Sequence, residues 1–160
     1  MFVLAVVPYE GRYLVIEERD GTWYLPAGRV EPGENLVAAV VRETIEEAKQ
    51  LVGVLGVLAI DHDLGPHRTR MPSSVASLPP RGPACTRCQG SARMRFVFVC
   101  YRGVLLPTKN EADHHSRGAD YKTREEIAKL PLRHPEVLTL IDAYESGRAL
   151  MPTGAYDCRP

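Results

Sequence analysis

The chain has little of what marks a secreted, membrane-bound or nucleic-acid-binding protein. Four cysteines in 160 residues are too few for the disulfide framework of a small secreted domain. No apolar run reaches the roughly 18 residues that a membrane span needs, so no membrane partner is expected. Met1-Phe2-Val3-Leu4-Ala5-Val6-Val7 lacks a basic start and stops at Pro8, which does not read as a signal peptide. Net charge is absent, with 20 basic residues against 20 acidic ones. Sequence-blind binding to nucleic acid rests on phosphate neutralisation, so no stable nucleic-acid binding is expected. These absences together point to a reducing, cytoplasmic compartment. The apolar share of 44% and the charged share of 25% are those of a globular chain long enough to bury a core.

The cancelled charge conceals two opposed blocks. Residues 31–47 set Glu31, Glu34, Glu43, Glu46 and Glu47 against Arg42 alone. Residues 64–95 hold Arg68, Arg70, Arg81, Arg87, Arg93 and Arg95 with no acid. Such blocks carry more information than the total. Residues 64–92 also contain five Pro, three Gly and four Ser without periodicity, which reads as an inserted loop. Its arginines suit phosphate, although a solvated loop is the plainer reading.

Turn signals place the elements around this insertion. Val3–Val7 and Tyr13–Ile16 are apolar, β-branched runs flanking Tyr9-Glu10-Gly11, a hairpin pattern. Trp23-Tyr24-Leu25 reads as a short strand ended by Pro26, and Ala27–Gly33 as a loop. Asn35 to about Gln50 has no Gly or Pro and helical periodicity. At 100° per residue Val37, Val40, Val41, Thr44, Ile45 and Ala48 share one arc, which is expected to pack on a sheet. Strands follow at Val52–Ile60, at Arg95–Tyr101 and at Val104-Leu105-Leu106. Thr123 and Glu126 have capping-box spacing, and Pro135 suits the first turn of a last helix ending near Ser146. This order predicts a mixed α/β layered domain. Residues 1–147 would form it, interrupted by the insertion at 64–92, with 148–160 as a loose tail.

Chemistry concentrates on the first helix. Glu43, Glu46 and Glu47 stand at i, i+3 and i+4, within one turn of each other. Unpaired they repel, and Glu46 and Glu47 lie where the helix dipole disfavours anions. A hard divalent cation such as Mg²⁺ relieves both costs, and is commonly shared with substrate phosphates. A solvated acidic face is the plain alternative.

The loop before the helix changes that balance. Gly28, five residues, Glu34, seven residues, then Arg42-Glu43-Thr44-Ile45-Glu46-Glu47 closely resembles the Nudix box, G-x5-E-x7-R-E-U-x-E-E-x-G-U with U aliphatic. Beyond the box, Phe96-Val97-Phe98, Thr108-Lys109-x-Glu111-Ala112-Asp113 and Leu130-Pro131-Leu132-Arg133 resemble the animal branch of MutT-type enzymes acting on 8-oxo-guanine nucleoside diphosphates. The likeness covers about residues 1–62 and 93–146. It implies a Nudix-type α/β/α sandwich, with a mixed sheet between helices. It implies that Glu43, Glu46 and Glu47, with the Ala27 carbonyl, hold Mg²⁺ or Mn²⁺, while Arg42, Glu34 and Gly28 support the box. The implied reaction is hydrolysis of a nucleoside diphosphate derivative, with 8-oxo-dGDP giving the monophosphate. ADP-ribose, a dinucleoside polyphosphate or a nucleoside triphosphate are the alternative substrates, and a weakly catalytic nucleotide or protein binder is the alternative role. Many relatives are dimers, so an oligomer is compatible with the resemblance.

Two departures from the family pattern stand out. The closing Gly and aliphatic residue of the box are Lys49 and Gln50 here. Gly at that place ends a helix, so its loss bears on helix termination rather than on metal ligation. A downstream carboxylate that many members supply to the metal, or as a base, aligns with His115, with Asp113 and Glu111 nearby. A neutral histidine can serve as a general base.

Other candidates are weaker. Trp23, Tyr24, Phe96 and Phe2 are aromatic groups that could stack on a base, though strand aromatics are commonly core. Phe96 and Phe98 alternate with Val97 and Val99, as in a strand buried on both faces. Cys85-x-x-Cys88 offers two ligands of the four that a structural zinc needs. His62, His67, Cys100 and Cys158 add no second pair at ligand spacing. His114 and His115, if on a strand, would point to opposite faces.

Overall fold

A computed structural model describes residues 1–63, 93–103 and 106–153. The insertion 64–92 with its arginines, His67 and Cys85/Cys88, the Val104-Leu105 pair, and residues 154–160 with Cys158 lie outside the described residues.

The described residues form two sheets. The first sheet runs in the order β5 (Ala27–Arg29), β1 (Phe2–Val6), β7 (Arg93–Arg102), β6 (Val52–Asp63). It is mixed: β1 pairs β7 in parallel, while β1–β5 and β6–β7 are antiparallel. The second sheet centres on β3 (Arg12–Glu17), with β2 (Pro8–Tyr9) and β4 (Trp23–Tyr24) along one edge and β8 (Gly118–Lys122) along the other.

The expected hairpin is therefore smaller than its apolar runs suggest. The two-residue turn at Glu10 (φ 47°) and Gly11 (φ 71°) joins β2 to β3, as a turn with two left-handed residues does. The Val3–Val7 run instead feeds the first sheet. Ala27–Arg29, expected as loop, is a strand because its backbone finds partners at Phe2, Val3 and Leu4. A three-residue strand containing Gly carries no periodicity to read.

Side-chain alternation divides the core in two. Val3, Ala5, Leu14, Ile16, Phe96, Phe98 and Cys100 pack on one face, with Val40 and Ala48 of α1 (Leu36–Ala48). Leu4, Val6, Tyr13, Val15, Val97 and Val99 pack on the other. There they meet Ile127 of α2 (Arg124–Ile127) and Val137 and Ile141 of α3 (Glu136–Glu145). Strands buried on both faces lose the alternation of polar and apolar residues, as Phe96–Cys100 does. The result is the α/β/α sandwich with a mixed sheet that the resemblance implied.

Local signals hold the helices in place. Asn35 caps α1 through the Ala38 amide at 2.7 Å. Thr123 and Glu126 form both arms of a capping box on α2. Past the last helix, Met151 and Val57 exchange two backbone hydrogen bonds of 2.9 Å. No helix among the described residues is long and apolar enough to cross a membrane.

Candidate active site

The helical arc read from sequence is rotated in the fold. Ala39, Val40, Glu43, Thr44 and Ala48 are the buried positions of α1, while Ile45 is 44% exposed. A glutamate has taken a place inside and an isoleucine one outside. The reason is the loop preceding the helix, which supplies polar partners on that side.

Arg42 builds this junction. Its Nε and Nη2 donate to the two Glu34 oxygens at 2.8 and 3.0 Å, and Nη2 also donates to the Arg29 carbonyl at 2.9 Å. Glu34 in turn accepts from the Glu31 amide at 3.0 Å. The hydrogen bond from Arg42 holds the Glu34 carboxyl below its ordinary range. Nη1 donates to Glu43 at 2.9 Å and to Glu46 at 3.0 Å. One guanidinium thus locks the loop to the helix and supplies charge to two carboxylates, a geometry suited to its fork of donors.

Ala27 and Gly28 face the carboxylates from β5. Glu47 accepts from the Ala27 amide at 2.9 Å. A Cβ on Gly28 would sit 1.9 Å from the Glu43 carboxyl carbon, so only glycine lets that carboxylate lie against the strand. Burial raises the Glu43 pKa, with Arg42 opposing. Burial pushes Glu47 up to about 8, against the pull of the Ala27 amide and with the negative charge of Glu43 adding to it.

His115, Asp113 and Glu111 lie on the segment that enters β8. His115 is half-buried and lies near enough to Glu43 to influence it electrostatically. Its ring packs beside His114 with centroids 3.9 Å apart. The two are in a bend rather than a strand, so they do not point to opposite faces. Asp113 is occupied by Lys109 at 2.5 Å and by the His115 and Ser116 amides at 2.8 and 3.2 Å. Glu111 is exposed.

A cavity of about 300 Å³ adjoins Ala27 and Gly28, lined also by Phe2, Leu4, Tyr24, Arg29, Arg95, Arg133, His134 and Glu136. Glu136 accepts from Tyr24 and, at 2.6 Å, from Arg95, which also holds Asp61 at 2.5 Å. The Arg95 Nε is buried and has no hydrogen-bond partner among the described residues. The Arg133 guanidinium lies 5.3 Å from the Tyr24 ring centre. Trp23 and Phe96 are not among the lining residues. Trp23 packs against the α3-side core beneath Lys122, and Phe96 belongs to the α1-side core. Arg95, Arg133, His134 and Glu136 come together only by folding. No spacing in the sequence marks them as a group. A larger, more open groove of about 680 Å³ runs along α1 past Val37, Val41 and Ile45.

The donor set fits a hard divalent cation. Three carboxylates lie within a helical turn, two of them carrying raised pKa values that an added positive charge would reverse, and the cradle at Gly28 leaves Glu43 its room. Among the described residues, however, no three acidic, histidine or cysteine side chains already converge as a cation cage. Glu43 and Glu46 lean on Arg42 instead.

Residues 2–142 match the model of the NUDIX domain. Over 146 residues the chain is 35% identical to the 8-oxo-dGDP phosphatase NUDT18 of Homo sapiens, covering 88% of this chain and 37% of that protein. It is 32% identical over 150 residues to the phosphatase NudJ of Shigella boydii, covering 91% of this chain and 83% of the relative. Among solved structures, a NUDIX hydrolase from Nitrosomonas europaea superposes with a TM-score of 0.73 at 24% identity, covering 99% of this chain and 95% of that one. The chain thus spans little more than a third of the animal relative's length. The box residues share one helix–loop junction on a fold of the same kind, and with the domain match over nearly the whole described chain they make this protein a member of the NUDIX family.

Proposed function

We propose that this protein is a metal-dependent hydrolase of a nucleoside diphosphate derivative, with 8-oxo-dGDP as the leading substrate. The observation that carries the reading is the cavity beside the carboxylate helix. One end is formed by Ala27 and Gly28, which lie against Glu47 and Glu43, and the other is aromatic and charged, with Phe2, Tyr24, Arg95, Arg133 and Glu136. The 8-oxo-dGDP phosphatase NUDT18 at 35% identity supports the choice of substrate.

Glu43, Glu46, Glu47 and the Ala27 carbonyl would hold Mg²⁺ or Mn²⁺. The ion, when bound, screens the phosphate oxygens and lowers the pKa of water. The chain's own residues do the rest. Arg42 and Glu34 keep the helix against the loop. His115, beside Glu43, is the group best placed to take a proton from the attacking water, because Asp113 is committed to Lys109 and the turn. Water oxygen bonds to the terminal phosphorus, the anhydride P–O bond breaks, and monophosphate and phosphate leave.

Base choice follows from hydrogen-bond chemistry. Oxidation at C8 turns N7 of guanine from an acceptor into an N–H donor and adds an acceptor at O8. A carboxylate between arginines matches that pair, and Glu136 stands beside Arg95 with Arg133 lining the same cavity.

The test is phosphate release from 8-oxo-dGDP, dGDP and ADP-ribose in parallel, the last with added phosphatase, in Mg²⁺ and in EDTA. Turnover is expected in Mg²⁺ alone, favouring 8-oxo-dGDP, and Glu47→Gln should abolish it without unfolding the chain. Glu136→Gln should reduce the preference over dGDP by about tenfold. Preference for ADP-ribose would move the substrate to that class. The hold of Arg42 on Glu43 and Glu46 favours one second reading, a nucleotide binder with weak catalysis. Binding without turnover on any of the three would establish it.

A further inference from the structure

Lys109 is a buried lysine that the hydrolytic reading leaves without a task. It is 2% exposed, and its ammonium donates to the Glu46 carbonyl at 3.1 Å and to Asp113 at 2.5 Å. A lysine is almost never enclosed unless it is paired, and burying a charge is costly without such partners.

Its contacts belong to a larger set. The last carbonyls of a helix have no partner within the helix. In α1 all five from Thr44 to Ala48 are taken. Thr44 and Ile45 accept from the amides of Gln50 and Lys49, at 3.4 and 2.9 Å. Glu46 accepts from the Lys109 ammonium at 3.1 Å, Glu47 from the Ser116 hydroxyl at 2.6 Å, and Ala48 from the Lys109 amide at 3.2 Å. The 109–116 segment therefore covers the residues that carry two of the three box carboxylates.

The same ammonium grips the turn that bears His115. Asp113 accepts from Lys109 with the oxygen that also accepts from the His115 and Ser116 amides, at 2.8 and 3.2 Å. Asp113 closes the turn through its own amide to the Ser116 carbonyl at 2.9 Å. A fixed positive charge also complements the negative pole of α1, where Glu46 and Glu47 add to the dipole.

We propose that Lys109 is a positioning residue, a buried latch that ties the last turn of α1 to the 113–116 turn so that the box carboxylates and His115 are held as one unit. The proposal rests on the reading of those carboxylates as metal ligands. It adds a task for a residue that touches neither substrate nor metal. A capping role alone would account for the bond to Glu46. It does not account for the shared grip on Asp113.

The test compares Lys109→Met, Lys109→Arg and Asp113→Ala in the whole chain, with Mn²⁺ binding followed by electron paramagnetic resonance and 8-oxo-dGDP turnover resolved into kcat and KM. Lys109→Met is expected to weaken Mn²⁺ binding by about tenfold, the scale on which groups behind metal ligands act, and to lower kcat with KM little changed. Lys109→Arg should recover part of both. Asp113→Ala, at an exposed carboxylate, should fold and lower kcat, and should add nothing in a His115→Ala background. Should Lys109→Met fail to fold, the Asp113→Ala and His115→Ala pair decides. Wild-type Mn²⁺ affinity and kcat in a folded Lys109→Met, or additive losses from Asp113→Ala and His115→Ala, would overturn the latch. Mn²⁺ binding that depends on Lys109 in a chain that turns over none of the nucleotides would uphold the latch and reject the substrate. A wild type that binds no Mn²⁺ would reject both.

Discussion

Of the site's carboxylates, Glu47 is the one that burial holds most strongly against ionisation. Burial lifts its pKa from 4.5 to about 8, so without metal it keeps its proton through neutrality. Below about pH 4.5 the folded and unfolded chains both carry that proton, and the residue costs nothing. As pH rises towards 8 the unfolded chain ionises first, and the contribution of Glu47 to stability is lost. Glu34 runs the other way. Arg42 depresses its pKa, so its contribution is present at neutral pH and lost as pH falls. In EDTA, Glu47→Gln should therefore raise Tm by on the order of 5 °C at pH 8.5 and hardly at all at pH 5, as thermal melts at the two values will show. An equal gain at both would mean that the effect is packing, not titration. The identity of Glu47 as a box residue was legible from spacing alone. Its raised pKa was not, since that depends on what β5 lays over it.

At the scale of elements, the end of α1 shows how a motif can lose a residue and keep its geometry. Lys49 adopts φ 55°, the left-handed conformation that favours glycine. The helix still stops there because the Lys49 amide bonds Ile45 and the fully buried Gln50 bonds the carbonyls of Leu106 and Pro107 at 3.0 and 3.2 Å. A lysine in that conformation costs roughly 1–2 kcal/mol. Lys49→Gly should recover about 1 kcal/mol, raising Tm by roughly 2–4 °C with kcat unchanged. A lower Tm would show that the lysine side chain offsets its own strain. The start and span of this helix were readable from Asn35 and the absence of breakers. Its rotation was not, because periodicity counts Ile45 as apolar and cannot see that Glu43 has Gly28 and Arg42 to receive it. β5 was invisible for a related reason, since its only warrant is the partner strand.

Across the whole molecule, β7 is, with β1 and β3, a strand that both cores share. Phe96, Phe98 and Cys100 serve the α1 side while Val97 and Val99 serve the α3 side. Phe98 is wholly buried, and truncating such a residue leaves a cavity as well as lost transfer energy. Phe98→Ala should cost about 3–5 kcal/mol in urea unfolding, in one transition rather than two, because both cores lean on the same strand. Two separate transitions would show that the layers fold independently.

The sequence by itself determined the fold class and the box, since the layer order and the spacing of Gly28, Glu34, Arg42, Glu43, Glu46 and Glu47 are local and periodic properties. Only the tertiary structure decided which strands pair, which face of α1 is inside, and that Lys109, Ser116, Arg95 and Glu136 stand at the site. These residues are brought together by contacts across dozens of positions, 69 between Ser116 and Glu47 and 112 between Glu136 and Tyr24. Hydrogen bonds and burial over such separations leave no period in the chain to be read.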